Sequence, residues 1–489
     1  MTIAKVSLVT ATKPSTLGKT FRLGAGGLEK TTAGHMLDGC VDVLEFSNVH
    51  SLAALLANVR TDQALCASLP KNGATSARIV SKKLQPDNPG ALTRSKDDFG
   101  FPHGQAGVIV LDLDPPPNAP VMTRERGWEK LRSLIPALEQ SSVIWWCSGS
   151  SFIHHGEQEI QGLKGQRYYL MVRDIGDTER FGDVLAQRLW LAGLGHIEIS
   201  ASGQKLLRST FDAAMFQPAR LDFVGGAVCH APLEQRRGTP VILSIGSWLD
   251  THAALPDLTR GEEAAYGRMI EEAKAKAEPK ARTQREIWKN ARLGAEIERL
   301  TKDGTPPEQA AESAERTLTA ALKGMLLGDF SLELEDGSAV TVGEVLDNKE
   351  RYHGALTLDP LEPEYLERKV VGKLYLFGAS PRLHSFAHGG ASYHLRKQPA
   401  RIYLAAGRRA EVAEEIQQRL AMEDDVFIRG GVVVVYAGGK LRAIKRAPAL
   451  SFEVGRRYAL CRRTEKNGDQ PADLDDATAN QVFAALGVG

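Results

Sequence analysis

Two aspartates one residue apart, Asp112 and Asp114, close an apolar run in the stretch GVIVLDLDPPP, residues 107–117. A short β-branched run of this kind reads as a buried strand. Side chains alternate across a strand, so both carboxylates fall on one face. Pro115, Pro116 and Pro117 follow at once and supply no ladder donors, so the strand must stop there. Like charges this close raise each other's pKa unless something positive sits between them. A hard divalent cation, Mg2+ or Mn2+, takes oxygen ligands of this sort and shares them with substrate phosphates. The bland alternative is two solvated aspartates at a strand-to-loop junction.

A metal pair needs a third ligand and a phosphate grip. The string LLRSTFDAAMF offers both, because in strand geometry Arg208, Thr210 and Asp212 point the same way. Asp212 would join Asp112 and Asp114 around two metals, and Arg208 would hold a triphosphate with its planar fork. Two metals roughly 3.5–4 Å apart activate a 3′-hydroxyl and stabilise leaving pyrophosphate. Asp222, in ARLDFVGG, is a rival third acid, but it follows Pro218 in an expected turn, so Asp212 is preferred.

Other residues converge on the same chemistry. The turn CSGSSFIHHG carries Ser148, Ser150, Ser151, His154 and His155. Successive N–H groups in such a turn make an anion nest. Adjacent histidines on a strand face opposite ways, so one of them should reach the site. The strand QRYYLMVR carries Arg167, Tyr168, Tyr169 and Arg173. A tyrosine beside arginines on a sheet surface can stack on bases, although core packing is its commoner role. Arg94 and Lys96 are candidate phosphate contacts. A basic strip, Lys274, Arg282, Arg285, Lys289 and Arg292, is either a solvated helix face or a nucleic-acid contact.

The elements that must position these residues follow from periodicity. Val108–Asp114, Val143–Cys147 and Arg167–Arg173 read as strands, and Thr123–Leu138 and Glu179–Leu194 as amphipathic helices, the first ended or kinked by Pro136. His196–Ser200 and Leu206–Asp212 are extended. The order is β-α-β-β-α-β, which implies an antiparallel sheet with both helices on one face and the other face free for ligands. Upstream, Ser51–Leu69 has helical spacing and Ile79–Leu84 suits a strand. The fold class is α+β. Residues 1–255 form the first domain, with an N-terminal module 1–100 and the sheet 101–255. An Ala/Glu/Lys/Arg-rich helical module, with Pro279 as a break and a second helix over Glu308–Leu322, covers 256–326. A C-terminal α/β domain covers 327–489, with a hairpin on Asp336-Gly337, strands at Lys373–Phe377, Arg401–Ala405 and Val432–Ala437, and a helix at Ala410–Ala421.

Composition narrows the classes. The chain has 489 residues, 43% apolar and 25% charged, enough for several packed domains. Its net charge is +1, so any nucleic-acid contact must be local. Five scattered cysteines with no CxxC exclude zinc ribbons and suit reduced thiols. The start has no signal-peptide core, and no apolar run approaches the roughly 18 residues of a membrane span. A cytoplasmic protein with no membrane partner is expected. Gly18-Lys19-Thr20 has Lys13 where a phosphate loop needs its first glycine, so no motor is expected.

Together, the DLD pair, the Ser/Gly turn with histidine after the next strand, and the apolar-Asp pair Phe211-Asp212 resemble the three motifs of the archaeo-eukaryotic primase superfamily. The likeness is to primase-polymerases of phages, plasmids and integrated mobile elements, and it covers about Lys5 to Pro232. It implies an RNA-recognition-like catalytic core, metal ligation by Asp112, Asp114 and Asp212, and phosphate contact by the second-motif histidine. Here the excursion GEQEIQGLKGQ separates that turn from the strand RYYLMV, which leaves the role open among His154, His155, Arg167 and Tyr169. KLYLFGASPRLHSFAHGGASYHLRK resembles a segment that follows such primase regions and usually precedes a helicase. The resemblance implies a single-stranded DNA template, NTPs or dNTPs, and a replicative helicase supplied in trans or by a C-terminal extension. His384, His388 and His394 lack acidic or thiol neighbours in sequence and are assigned to packing and turns. The alternative function is a rolling-circle initiator or relaxase-type nuclease, which would use the HH and YY pairs but leave Asp112 and Asp114 without a task.

Overall fold

The computed structural model describes all residues except 1, 35, 83, 114–120, 379, 398–399, 406, 422, 424, 430–431, 438–439, 465–467 and 487–489. Asp114 therefore lies outside the described residues. The architecture is mixed α+β with several small sheets. Contacts divide the chain into a unit of residues 1–198 and 207–275 and a unit of residues 199–206 and 276–489.

The first unit is built around the sheet that carries the DLD motif. Gly107–Leu113 and Val143–Cys147 both pair antiparallel with Gln166–Val172, which lies between them. The outer two are therefore parallel to each other, and the helix Arg124–Leu134 joins them in a split β-α-β unit. That helix stops at Ile135, and Pro136 opens a 3-10 turn instead, as the proline requires. The fourth strand is Val241–Ser244, not the 196–212 region. There, Gly195–Ile199 and Lys205–Ser209 form their own two-stranded sheet, because the intervening turn is tight enough for neighbours to pair: Gly203 has φ +78° and the Ser200 N–H reaches the Gln204 carbonyl at 3.0 Å.

The expectation of a free sheet face is overturned. Every residue of Gly107–Leu113, Val143–Cys147 and Gln166–Val172 is buried. Continuous apolar strands are what two covered faces demand. On one side the Tyr168 ring lies so close to Gly127 of the helix that an added Cβ would come within 2.2 Å of its hydroxyl. On the other, Val108 and Val110 share a core with Val6 and Leu65 of a second sheet, whose strand order is Gln63–Cys66, Ala4–Lys13, Asp38–Phe46, Ser76–Val80, Leu92–Thr93. Tyr169 is thus core, not a stacking platform.

Ser51–Leu69 also departs from its helical spacing. The helix is Val49–Ala57, opened by an Asn48–Ser51 capping box, and Gln63–Cys66 is a strand with all four residues buried against Ala4–Lys13. Pairing to a core strand outweighs local helix preference over so short a stretch. In contrast, Pro279 does not break its helix, which runs from Arg260 to Lys302. An interior proline costs about 3 kcal/mol, and the alanine-rich flanks of this 43-residue helix absorb it.

In the second unit the hairpin forms on Asp336-Gly337, with Gly337 at φ +83°. A five-stranded sheet runs in the order Met325–Leu327, Ala391–Arg396, Arg382–Ser385, Gly372–Tyr375, Leu356–Thr357. Beyond it, helices Arg409–Ala421, Ala447–Arg457 and Asp476–Leu486 accompany two three-stranded sheets. Among the described residues, no helix is long and apolar enough to cross a membrane.

Candidate active site

Asp112 sits one residue before the end of its strand, directly opposite Arg167. Its Oδ2 lies 3.3 Å from Arg167 Nη2, and Arg167 Nε lies 2.5 Å from Asp222 Oδ1. Asp222 Oδ2 accepts the Tyr169 hydroxyl at 2.6 Å. The four groups are buried, Asp112 being 8% exposed and Asp222 1%. A guanidinium thus sits between two carboxylates and offsets the repulsion that burial would amplify. Burial, with the Asp222 charge adding to it, drives the Tyr169 phenol well above its usual range.

Asp222 is not in a turn, as its position after Pro218 suggested. It exchanges backbone hydrogen bonds with Leu65, at 3.0 and 2.7 Å, which zips it to the edge of the N-terminal sheet and drives its carboxylate inward. Nothing local in the sequence marks that pairing, because the partner lies far upstream.

Asp212 comes to the same place by another route. Phe211 bridges Leu113, and the Asp212 N–H donates to the Asp112 carbonyl at 2.9 Å. The apolar-Asp pair therefore lies alongside the DLD strand. The Asp212 carboxylate is 40% exposed, caps the turn Ala213–Phe216 through Ala214 N–H at 2.9 Å, and faces Arg220 Nη2 at 3.4 Å. The shared strand face expected for Arg208 and Asp212 does not exist, since that strand ends at Ser209. Arg208 instead pairs with Glu198 at 2.6 Å in an exposed position. Arg220 is the guanidinium beside Asp212, and Arg94, whose charge is opposed first by burial and then by Arg220, lies near it. Among the described residues, no three His, Cys, Asp or Glu side chains gather closely enough to hold a metal. Asp112 and Asp212 on adjoining segments are nonetheless oxygen donors of the type Mg2+ and Mn2+ take.

The serine turn follows the strand Val143–Cys147. Ser148, Ser150 and Ser151 are buried. Ser148 Oγ accepts the Gly165 N–H at 3.2 Å, and Ser151 Oγ accepts the Lys164 N–H at 3.0 Å. Gln235 Nε2 donates to the Gly149 and Ser151 carbonyls at 3.0 and 2.9 Å. The Lys19 ammonium contacts the Ser150 hydroxyl. GKT is no phosphate loop, yet it delivers a cation to this turn, a placement its sequence gave no sign of. His154 is largely covered, with Nε2 3.9 Å from Glu159, while His155 is exposed. Beside Arg167 in register, Trp146 carries the Arg237 guanidinium 4.4 Å above its ring. Burial pushes the neighbouring Cys147 thiol up to about 11, so it is no nucleophile near neutral pH.

The basic candidates lie elsewhere. Arg173 donates to the Trp248 carbonyl at 3.0 Å. Lys274 pairs with Glu271 at 3.2 Å, Arg285 with Glu278, and Lys289 with Glu315 at 2.8 Å. Arg292 lies over Trp288 and donates to the Leu361 carbonyl at 2.8 Å. Arg282 is exposed. Two of the three C-terminal histidines do have acidic neighbours, brought from distant sequence: His388 Nε2 is 2.8 Å from Glu362, and His394 lies 3.7 Å from Asp425. His384 pairs with Ser392 at 2.9 Å. No family model, no curated protein and no solved structure matches the chain.

Proposed function

We propose that the chain is a template-directed nucleotidyltransferase, a DNA primase-polymerase of a mobile element acting on single-stranded DNA with NTPs or dNTPs. The observation that carries this reading is the pairing of Phe211-Asp212 with the DLD strand, which sets Asp212 beside Asp112 at the end of a split β-α-β sheet. Asp112, Asp212 and Asp114 would hold Mg2+ or Mn2+, which when bound supplies charge stabilisation for the attacking and leaving oxygens. Arg167, braced by Asp222, positions the Asp112 carboxylate. The Lys19–Ser150 contact and Arg220 would offer cations to substrate phosphates, with Ser151, His154, His155 and Arg208 as further candidates. A replicative helicase from another chain, or from an extension of this one, would supply opened template. The nuclease alternative loses support because its tyrosine pair is fully buried, Tyr168 and Tyr169 each being 0% exposed. The test is incubation with single-stranded template, labelled NTPs or dNTPs and Mn2+, followed by product sizing. Template-dependent extension lost in Asp112→Ala supports the reading. No extension by the folded wild-type chain with any template or nucleotide set overturns it.

A further inference from the structure

Three strands of the second unit, Val426–Arg429, Val432–Ala437 and Lys440–Ile444, form an antiparallel meander. One row, Val433, Val435 and Ile444, is 3% exposed or less and belongs to a hydrophobic core. The opposite row pairs Phe427 with Val434, Val434 with Ala443, and Tyr436 with Leu441. Phe427 is 48% exposed, Tyr436 50% and Leu441 54%. Val434, between them, is 8% exposed; folding alone gives no reason to put two aromatic rings and a leucine on the outside of a small sheet, and exposed apolar groups of this kind mark binding surfaces. The row holds no carboxylate. Lys445 and Arg446 follow directly on the last strand, are exposed, and have no ion-pair partner among the described residues.

We infer that this outer face binds single-stranded nucleic acid, stacking bases on Phe427 and Tyr436 and holding phosphates with Lys445 and Arg446. Phe427 and Tyr436 are diagonal cross-strand neighbours, with backbones roughly 7–8 Å apart, a spacing that suits successive splayed bases of an extended strand. A duplex hides its base faces, so it could use the cations but not the rings. An acidic peptide would leave the rings unstacked in the same way. The inference extends the template-binding part of the function proposed above. Its test reads binding without synthesis, so the two fail separately.

The full chain is titrated with a fluorescent oligothymidylate, with no nucleotide present. Phe427→Ala/Tyr436→Ala should weaken binding by roughly 5- to 150-fold per ring lost, the range that base stacking on aromatics gives. Phe427→Tyr/Tyr436→Phe, which keeps both rings, should bind like wild type. Lys445→Ala/Arg446→Ala should make the salt slope shallower by about 0.7 per contact. In the wild-type chain, ultraviolet cross-linking of a bromodeoxyuridine-substituted oligonucleotide should place an adduct on Phe427 or Tyr436, which needs no variant to fold. Wild-type affinity in a folded double-alanine variant, adducts found only elsewhere, or polyglutamate binding as tightly as the oligonucleotide would each overturn the inference.

Discussion

Two buried carboxylate clusters are satisfied by different partners and end in opposite kinds of place. In the first unit, Asp112 and Asp222 flank Arg167, and the cluster abuts Asp212, which is 40% exposed and lies alongside the end of the DLD strand. In the second, Glu362 accepts the Ser202 N–H at 2.8 Å and His388 Nε2 at 2.8 Å. Beside it, Asp359 takes the N–H groups of Leu361 and Glu362 at 2.9 and 2.7 Å, and the Ser385 hydroxyl at 2.6 Å. The Tyr365 ring meets His388 edge-on at 4.6 Å. That second cluster is a staple: donors close it and an aromatic ring covers it. The first has its charge balanced by one shared guanidinium and opens toward an exposed acid. Buried charge alone does not mark a reaction centre. The two differ in that an exposed acid, Asp212, lies beside the first, alongside the end of the DLD strand.

Removing the brace should have the largest effect on stability. Asp222→Ala leaves Arg167 buried with half its compensation, which costs roughly 3–5 kcal/mol, read as a drop in the unfolding midpoint of the first unit in urea. An unchanged midpoint would mean water replaces the carboxylate, and the contrast with the sealed staple would fail.

The staple itself makes a pH prediction. Burial raises the Glu362 carboxyl, but hydrogen bonds from His388, Ser200 and Ser202 outweigh it and hold it down from 4.5 to about 2. A depressed acid contributes stability above its unfolded pKa, and that contribution is lost as pH falls from about 4.5 toward 2. At 1.36 kcal/mol per unit the full contribution is about 3 kcal/mol. The gap in stability between wild type and Glu362→Gln should therefore narrow over that window. A gap constant from pH 6 to 3 would remove the bonded-carboxylate account.

Asp212 should behave in the reverse way. Asp212→Asn keeps a side-chain oxygen for the Ala214 cap and loses only a partly exposed pair with Arg220, so stability should change by less than about 1 kcal/mol. Nucleotide incorporation should fall by more than about 100-fold if Asp212 holds metal at the reaction centre. Full activity in Asp212→Asn would transfer the role to Asp222.

Arg208 carries the smallest stability effect. Its exposed pair with Glu198 contributes under about 1 kcal/mol, so Arg208→Ala should melt like wild type. If the guanidinium leaves Glu198 for a triphosphate, apparent nucleotide affinity drops roughly 10- to 150-fold, the value of a charged hydrogen bond. An unchanged titration hands that grip to Arg220.

What the chain disclosed in advance was local. The DLD strand, VIWWC and RYYLMV stand out because their apolar runs are short, unbroken and bounded by turn residues. The Asp336-Gly337 hairpin needs only its own two residues. What stayed hidden depends on pairings across long sequence distances. Asp222 is fixed by Leu65, Lys19 is brought to Ser150, and Glu362 meets His388 and Ser202, none of which periodicity can reveal. The sheet face expected to be free is covered for a related reason. Unbroken apolar strands already imply two covered faces, and Val6 and Leu65 supply the second cover.

The central claim is that Asp112, braced by Arg167, belongs to a nucleotidyl-transfer site. The most direct measurement is primer-independent and primer-dependent synthesis on single-stranded template with Mn2+, comparing wild type with Asp112→Ala at matched circular dichroism. The account predicts template-dependent products from wild type and none from a folded Asp112→Ala. Products of equal length and yield from both would contradict it.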